Sequence, residues 1–182
     1  RHPATQEVEI IPDTAWSCVH GVGRWREDCG CNSGGRSDWN QAWRGPLRQA
    51  LDWLRDELAA PYERAARELL DDPWQVRNGY IQAVLDRSPY NVDRFLAAHV
   101  RRPLSQDEQV RVLKLLEMQR HLMLMYTSCG WFFDELSGIE TVQVLQYAGR
   151  AIQLAEDGLG ARVETEFLER LRRAPSNLPE LD

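Results

Sequence analysis

Apolar residues take helical spacing from Trp39 onward, and this pattern limits the fold of the chain more than any other feature. The first run follows Pro46, a residue that is favoured in the opening turn of a helix. Its apolar side chains recur at i, i+3 and i+4 positions, and they are Leu47, Ala50, Leu51, Leu54 and Leu58. The pattern predicts an amphipathic helix that packs by one face against other helices.

Start and stop signals divide the rest of the chain into further helices. Pro61 is expected to kink or split the first one, and 62–70 then keeps the helical spacing. Asp72 and Pro73 form an N-cap and first-turn pair that opens a helix to about residue 87. The remaining predicted helices cover 91–100, a run opened by a capping box at 105–108, a second opened by a capping box at 137–140 and ending near 156, and 163–173.

The helix that opens at Ser105 has the longest apolar pattern of the set. Its apolar side chains are predicted on or near one face, and they are Val110, Leu113, Leu116, Met123 and Leu124. Glu117 and His121 lie four positions apart on this helix, so we expect them to touch and to share a structural hydrogen bond.

The predicted fold is all-α: a helical bundle of about five to seven helices with an irregular N-terminal arm rich in Cys, Gly and Trp. We divide the chain into the arm at 1–38, packed on the bundle, a helical domain at 39–174 and a frayed tail at 175–182. Glycines punctuate the arm so closely that side chains rather than a strand ladder are expected to hold it. Residues 7–11 alternate in hydrophobicity, which predicts one short strand before Pro12.

Composition argues against several classes of protein. The chain has 182 residues, enough for one domain with an arm, and its net charge of −6 argues against a general nucleic-acid binder. No apolar run reaches the ~20 residues of a membrane span, and the N-terminus has no signal-peptide core. Four cysteines are too few for a disulfide-dense secreted scaffold. We expect a cytoplasmic protein without nucleic-acid or membrane partners and, since an initiator Met is missing, one cut from a longer chain.

Three of the four cysteines and one histidine lie within W-S-C-V-H-G-V-G-R-W-R-E-D-C-G-C-N, at 16–32. Cysteine and histidine at this density are rarely needed for packing, and zinc favours tetrahedral sites built from them. Cys18-x-His20 and Cys29-x-Cys31 therefore predict a zinc site, with Cys129 as a fifth candidate ligand. Their spacing differs from the C-x2-C pattern of zinc fingers.

Other interpretations of these cysteines stay open. An iron–sulfur cluster would use the same thiolates, but the spacing does not match the ferredoxin runs, and zinc is preferred. The cysteines are equally well explained as small buried residues or as inert thiols near a pocket. Cys18 and His20 have the composition of a thiol–base pair, although positions so close in sequence rarely give its geometry. A disulfide between Cys29 and Cys31 would be strained.

A second dense stretch, T-S-C-G-W-F-F-D-E-L-S-G at 127–138, combines aromatic and acidic residues. Aromatic faces beside polar groups suit a sugar ring, and the alternative is that the rings belong to the core. The candidate saccharide-binding residues are Trp16, Trp25, Trp131 and Asp134. Asp134 is otherwise expected to pair with Arg24 or Arg26. Glycoside hydrolysis needs two carboxylates held across the bond, and adjacent acids point apart, so no catalytic residue is predicted.

Four long runs of the sequence resemble a known family. They are the 16–32 stretch, W-N-Q-A-W-R-G-P-L-R, L-L-E-M-Q-R-H-L-M-L-M-Y-T-S-C-G-W-F-F-D-E-L-S-G-I-E-T and V-L-Q-Y-A-G-R-A-I-Q-L-A. Together with the segment from residue 7, they are similar to a bacterial domain of unknown function that follows the catalytic barrel in proteins related to glycoside hydrolase family 57.

The resemblance implies an accessory role rather than catalysis. In that family the catalytic carboxylates belong to a β/α barrel, and this chain has no alternating β/α pattern, so none is carried over. The implied partners are the N-terminal barrel of the parent chain and an α-glucan, whose cleft Trp16, Trp25, Trp131 and Asp134 would help to shape. The resemblance implies no metal.

Three hypotheses follow: an accessory domain of an α-glucan-acting glycoside hydrolase, a metal-binding helical module with a structural or redox role, and a plain helical interaction domain. All three leave one structural question, whether 16–32 and 127–138 meet. We predict that they form two halves of one site.

Overall fold

The computed structural model describes residues 5–178 and 180, and over this part of the chain the fold is all-helical, as predicted. Two short 3-10 turns, Gly23–Trp25 and Ser128–Trp131, lie outside the α-helices. The seven α-helices of the described residues are α1 (Arg44–Arg67), α2 (Pro73–Gly79), α3 (Ile81–Leu85), α4 (Pro89–Ala97), α5 (Gln106–Leu124), α6 (Ile139–Leu159) and α7 (Glu164–Leu171).

Helix α1 is the central element and runs unbroken through Pro61, so the predicted kink or split is wrong. A proline inside a helix costs about 3 kcal/mol, because it removes one hydrogen bond and crowds the preceding turn. Leu58 and Tyr62 lie on either side of it on the apolar stripe, and both are fully buried. Burying each such side chain contributes roughly 1.5–3 kcal/mol, which offsets the cost of the proline and keeps the helix whole.

The Asp72 cap is confirmed, since its carboxylate accepts hydrogen bonds from the backbone N–H groups of Trp74 and Gln75 at 3.0 and 3.1 Å. The helix that it opens is shorter than predicted, because the chain breaks at Tyr80 into α2 and α3. Tyr80 is buried, and its hydroxyl donates to Glu117 on α5 at 2.7 Å. This tertiary contact has no signature in the local sequence.

The two predicted capping boxes have different outcomes. At Ser105 the box is present, with the Glu108 N–H donating to the Ser105 hydroxyl at 3.3 Å and the Ser105 N–H donating to the Glu108 carboxylate at 2.9 Å. At Ser137 the box is wrong, since α6 is capped by Gly138 without a side-chain hydrogen bond. The Ser137 N–H donates instead to the Glu135 carboxylate at 3.1 Å.

Helices α5 and α6 pack along each other and against α1, and α7 also packs against α1. The buried stripe of α5 is rotated from the predicted face, because Val110 and Met123 are 43% and 49% exposed. Its buried apolar residues are Val112, Leu115, Leu116, Met118 and Leu122. His121 lies beside this stripe and donates from Nδ1 to the Glu117 carbonyl at 2.8 Å, the structural bond expected of the pair.

Both ends of the described chain differ from prediction. Residues 7–11 form no strand, and their apolar side chains are exposed. The predicted tail is held rather than frayed at Asn177, whose side-chain amide donates to the carbonyl oxygens of Asn40 and Asp134, each at 2.8 Å. Residues 1–4, 179, 181 and 182 lie outside the described residues. Within the described part of the chain, no helix has the length and apolarity that crossing a bilayer requires.

Candidate metal centre

Four metal-type donors from the arm converge on one point. Cys18, His20, Cys29 and Cys31 each place a ligand atom so that all of these atoms lie within 4.8 Å of one another. The Cys18 Sγ lies 3.7 Å from the Cys29 Sγ and 3.8 Å from the Cys31 Sγ. The His20 Nδ1 lies 3.7 Å from the Cys18 Sγ and 3.4 Å from the Cys31 Sγ. These four residues could hold a metal ion.

A tight backbone path brings the two ligand pairs together. The 3-10 turn Gly23–Trp25 reverses the chain between the Cys18–His20 pair and the Cys29–Cys31 pair. Gly21, just before this turn, has φ +63°, and a Cβ there would meet the Asp13 carbonyl oxygen at 2.4 Å. Only glycine fits this left-handed position against the backbone, so part of the glycine punctuation of the arm serves to close the loop.

The thiols are free and differ in their tendency to ionise. Burial opposes ionisation of the Cys18 thiol, but hydrogen bonds from the backbone and ring of His20 and from Cys29 lower its pKa to about 6. Burial and the hydrogen bonds to Cys18 and Cys29 raise the pKa of the Cys31 thiol. The group therefore favours one thiolate first, and a cation is needed to hold several thiolates together.

Arg24 fastens the arm to a segment about a hundred residues away, which we call the aromatic loop (residues 127–138). Its guanidinium is buried and donates to the Phe132 carbonyl at 2.8 Å and to the Ser17 carbonyl at 3.0 Å. The same group lies over the Phe132 ring, 5.0 Å from its centroid. Arg24 was expected to pair with Asp134, and it binds two carbonyl oxygens instead.

Arg44, at the start of α1, is a residue of the candidate site that the sequence did not reveal. It is 0% exposed and joins the metal-type group to the aromatic loop, donating to the Cys31 carbonyl at 3.4 Å and to the Phe133 carbonyl at 3.1 Å. Its Nη1 also lies 4.0 Å from the Cys29 Sγ. Burial and the neighbouring Arg24 charge lower the pKa of Arg44. Thiolates at this site would compensate a cation that is otherwise costly to bury.

Asp134 accepts hydrogen bonds from donors other than the predicted arginines, and two of these donors belong to Ser33 of the arm. Its carboxylate accepts the Ser33 N–H at 2.9 Å, the Ser33 hydroxyl at 2.5 Å and the Gln41 side-chain amide at 3.2 Å. Only 3% of Asp134 is exposed. It therefore acts as an internal acceptor that fixes the loop, and the carboxylate does not face solvent.

The candidate saccharide-binding tryptophans have different environments. Trp16 is 90% exposed and stacks on Phe132, with 6.0 Å between ring centroids. Trp25 is half-buried and donates from Nε1 to the Ser128 carbonyl at 3.4 Å. Trp131 is only 1% exposed and stacks on Trp43 in the core. Of the three rings, Trp16 alone offers an open aromatic surface.

The arm and the aromatic loop do meet, as predicted, but Cys129 takes no part in the group of donors. Its thiol is exposed on the aromatic loop and lies outside the set of ligand atoms that share the 4.8 Å limit. The contacts that join the arm to the aromatic loop include the hydrogen bonds of Arg24, Arg44 and Asp134. The two segments therefore have different parts: 16–32 carries the metal-type donors, and the aromatic loop supports the arm without supplying a donor.

Comparison with known proteins places the helical part of the chain in a family. No curated protein and no solved structure matches the sequence. The family match begins at residue 39, so it includes Arg44 and the aromatic loop, whereas the four metal-type donors precede it. The matched segment, residues 39–182, covers most of the chain, and the protein therefore belongs to the family described as a domain of unknown function, DUF3536.

Proposed function

We propose that Cys18, His20, Cys29 and Cys31 bind one zinc ion, which holds the arm on the helical domain. The observation that supports this is the spacing of the donors. In a tetrahedral site with Zn–S near 2.3 Å and Zn–N near 2.0–2.1 Å, sulfurs lie about 3.8 Å apart and sulfur and nitrogen about 3.6 Å apart. The Cys18 Sγ lies 3.7 and 3.8 Å from the other two sulfurs, and His20 Nδ1 lies 3.4 and 3.7 Å from Cys31 and Cys18.

The donor set favours zinc over an iron–sulfur cluster. Three thiols and one imidazole are the ligands of a common structural zinc site. Iron–sulfur clusters are held mainly by four thiolates, and the fourth cysteine, Cys129, lies outside the group. The short distances between the donors also suit a single ion rather than a cluster with several metal atoms.

A site with four protein ligands is closed, so a structural role fits better than a catalytic one. Cys18 and His20 precede the Gly23–Trp25 turn, and Cys29 and Cys31 follow it, so the ion would fasten both sides of the loop. Around the site, Arg24 and Arg44 tie the same loop to the aromatic loop. Zinc binding would therefore order the arm where few apolar side chains are buried.

Elemental analysis of the purified chain, with variants of two cysteines, tests this proposal. We expect one zinc per chain in the wild type and in Cys129→Ser, whose exposed thiol is outside the group. In Cys18→Ser we expect zinc to fall below a fifth of that level, because a serine hydroxyl is a poor zinc ligand. No zinc in the wild type, or full zinc in Cys18→Ser, would contradict the proposal, and iron in its place would select the cluster.

As a second function, we propose that this domain lies beside a glycoside hydrolase family 57-type barrel and contributes to an α-glucan cleft. The resemblance of the four sequence runs supports it, together with the open ring of Trp16, which is 90% exposed. In a chain that carries the barrel, Trp16→Ala would raise the KM for α-glucan several-fold, whereas Tyr90→Ala, an exposed aromatic change on α4, would not. Unchanged kinetics in both variants would remove this proposal.

A further inference from the structure

A surface cavity of about 450 Å³ lies on the helical domain, and no residue of the cysteine-rich arm lines it. It is formed by α3, α4, α5 and α6, none of which carries a metal-type donor of the arm group. Its volume is within the range of small-molecule sites, which are mostly apolar with a few polar groups. Its apolar lining consists mainly of Ala83, Val92, Val110, Leu113 and Leu154.

The charged side chains of the cavity are mostly cationic, although the whole chain carries a net charge of −6. Arg87, Lys114 and Arg150 line it, and Glu117 is the single carboxylate among the lining residues. Arg87 and Arg150 are exposed and Lys114 is partly exposed, so their charged groups remain in contact with water beside the apolar wall. The arrangement suits an anion that brings its own apolar body.

Glu117 does not neutralise the remaining positive charge of the cavity, since its oxygens already accept hydrogen bonds from other side chains. They accept the Tyr80 hydroxyl at 2.7 Å, Arg87 at 2.6 Å and Arg120 at 3.3 Å. Burial alone would raise the pKa of Glu117, but the hydrogen bonds from Tyr80 and Arg87 hold it below its usual value. The carboxylate therefore stays ionised and neutralises Arg87 rather than the rest of the cavity.

Arg150 is the cation with the least compensation. Its guanidinium donates to the neutral side chain of Gln153 at 3.2 Å, and no carboxylate among the described residues lies within ion-pair distance of it. Lys114 is partly compensated, by Asp157 at 3.2 Å. A ligand oxyanion would give Arg150 the charged partner that its neighbours do not supply.

We propose that this cavity binds a small amphipathic anion, with a carboxylate or phosphate head at Arg150 and Lys114 and an apolar body against Val110 and Leu113. The apolar lining excludes water from one side of the ligand and strengthens the ion pair on the other. The site is independent of the zinc proposal, because its residues and elements are different. A negative result for either proposal would therefore not affect the other.

Calorimetric titration of the whole chain with hexyl phosphate and with hexanoate, each to about 5 mM, detects affinities in the millimolar range. We expect at least one of them to bind about tenfold more tightly than inorganic phosphate or hexanol alone, since each of these lacks half of the ligand. Arg150→Gln should raise the dissociation constant about tenfold, the loss of one charged hydrogen bond. Arg64→Gln, a matched change of an exposed arginine on α1, should leave it within twofold.

Val110→Trp provides a second variant that tests the shape of the cavity. Residue 110 is 43% exposed, so the larger ring fits without disturbing the core and fills the apolar half of the site. We expect binding to be lost while the helical circular dichroism spectrum is unchanged. No binding of either anion to the wild type, or wild-type binding in both Arg150→Gln and Val110→Trp, would overturn the proposal.

Discussion

Ser33 donates both its backbone N–H and its hydroxyl to the carboxylate of Asp134, at 2.9 and 2.5 Å, across 101 positions of sequence. These bonds join the arm directly to the aromatic loop. They converge on a buried anion, where each hydrogen bond to charge contributes more than one between neutral groups. The orientation of the loop that carries the four metal-type donors depends on this acceptor.

Asp134→Asn therefore tests how the arm is held. The amide keeps the shape of the carboxylate, but in either orientation its NH2 group would face an N–H donor of Ser33 or Gln41. We expect a loss of about 2–3 kcal/mol of unfolding free energy, measured by urea denaturation, and faster proteolytic cleavage of the arm.

The matched control is Asp38→Asn, which alters an exposed carboxylate whose ion-pair partner among the described residues is Arg36, at 3.1 Å. Exposed ion pairs contribute roughly 0–1 kcal/mol, so this variant should unfold at nearly the wild-type urea concentration. Equal stability of the Asp38 and Asp134 variants would contradict the role assigned to the buried carboxylate.

Two correct predictions depend on information within about four residues, although the equally local pattern at Ser137 formed no capping box. The Asp72 cap and the Ser105 box were correct because each is a local exchange of hydrogen bonds. The predicted kink or split at Pro61 was wrong, because burial along α1, a tertiary effect, outweighs the local penalty of proline.

The candidate site was predicted in composition but not in its partners. Density of Cys and His identified the four donors, since few other roles need these residues so close together. Arg44 was missed, because a buried arginine that donates to distant carbonyl oxygens has no local pattern. Burial of Trp131 and Asp134 likewise could not be predicted from the sequence, since it depends on how α1 and the aromatic loop pack.

Arg44→Met tests whether the arginine supports the metal-type group. Removal of the guanidinium leaves the carbonyl oxygens of Cys31 and Phe133 without this donor and removes the cation near the Cys29 Sγ. If zinc binds as proposed, we expect its affinity to fall about 10–100-fold, the usual effect of losing a group that orients the ligands. Competition with a chromophoric chelator measures this affinity.

Arg64→Met is the control for this change, because Arg64 is exposed on the same helix. It should bind zinc with wild-type affinity. Loss of affinity in both variants would show that the effect arises from α1 as a whole rather than from the buried guanidinium.

Glu135 gives the stability of the chain a defined pH dependence. Burial alone would raise its pKa, but hydrogen bonds from Ser176, Ser137 and Asn177 hold it below its usual value. A carboxyl whose pKa is lower in the folded state contributes stability above its unfolded pKa, about 4.3, and loses it as pH falls through the folded pKa. The stability of the wild type should therefore exceed that of Glu135→Gln by about 1–2 kcal/mol at pH 7.

The difference between these two proteins should begin to shrink as the pH falls below about 4.3, where the unfolded carboxyl takes up a proton, and should vanish once the pH has passed the lower folded pKa. Thermal denaturation at pH 7 and pH 3.5 measures it. Glu169→Gln, at an exposed position on α7, should show no such pH-dependent difference. A constant difference between the wild type and Glu135→Gln at both pH values would exclude the ionised carboxylate as its cause.

Gly130 is required where the aromatic loop crosses α6. A Cβ there would lie 2.3 Å from the Val144 Cγ2 and 3.1 Å from the Glu140 carbonyl oxygen, and the Gly130 carbonyl accepts the Thr141 hydroxyl at 2.7 Å. Gly130→Ala should cost about 1–3 kcal/mol in chemical denaturation, because the loop must move off the helix. Gly149→Ala on α6 meets no atom within 4 Å and should instead stabilise by about 0.5–1 kcal/mol, since alanine restricts the unfolded chain. If both variants changed the unfolding free energy in the same direction, the result would contradict this packing.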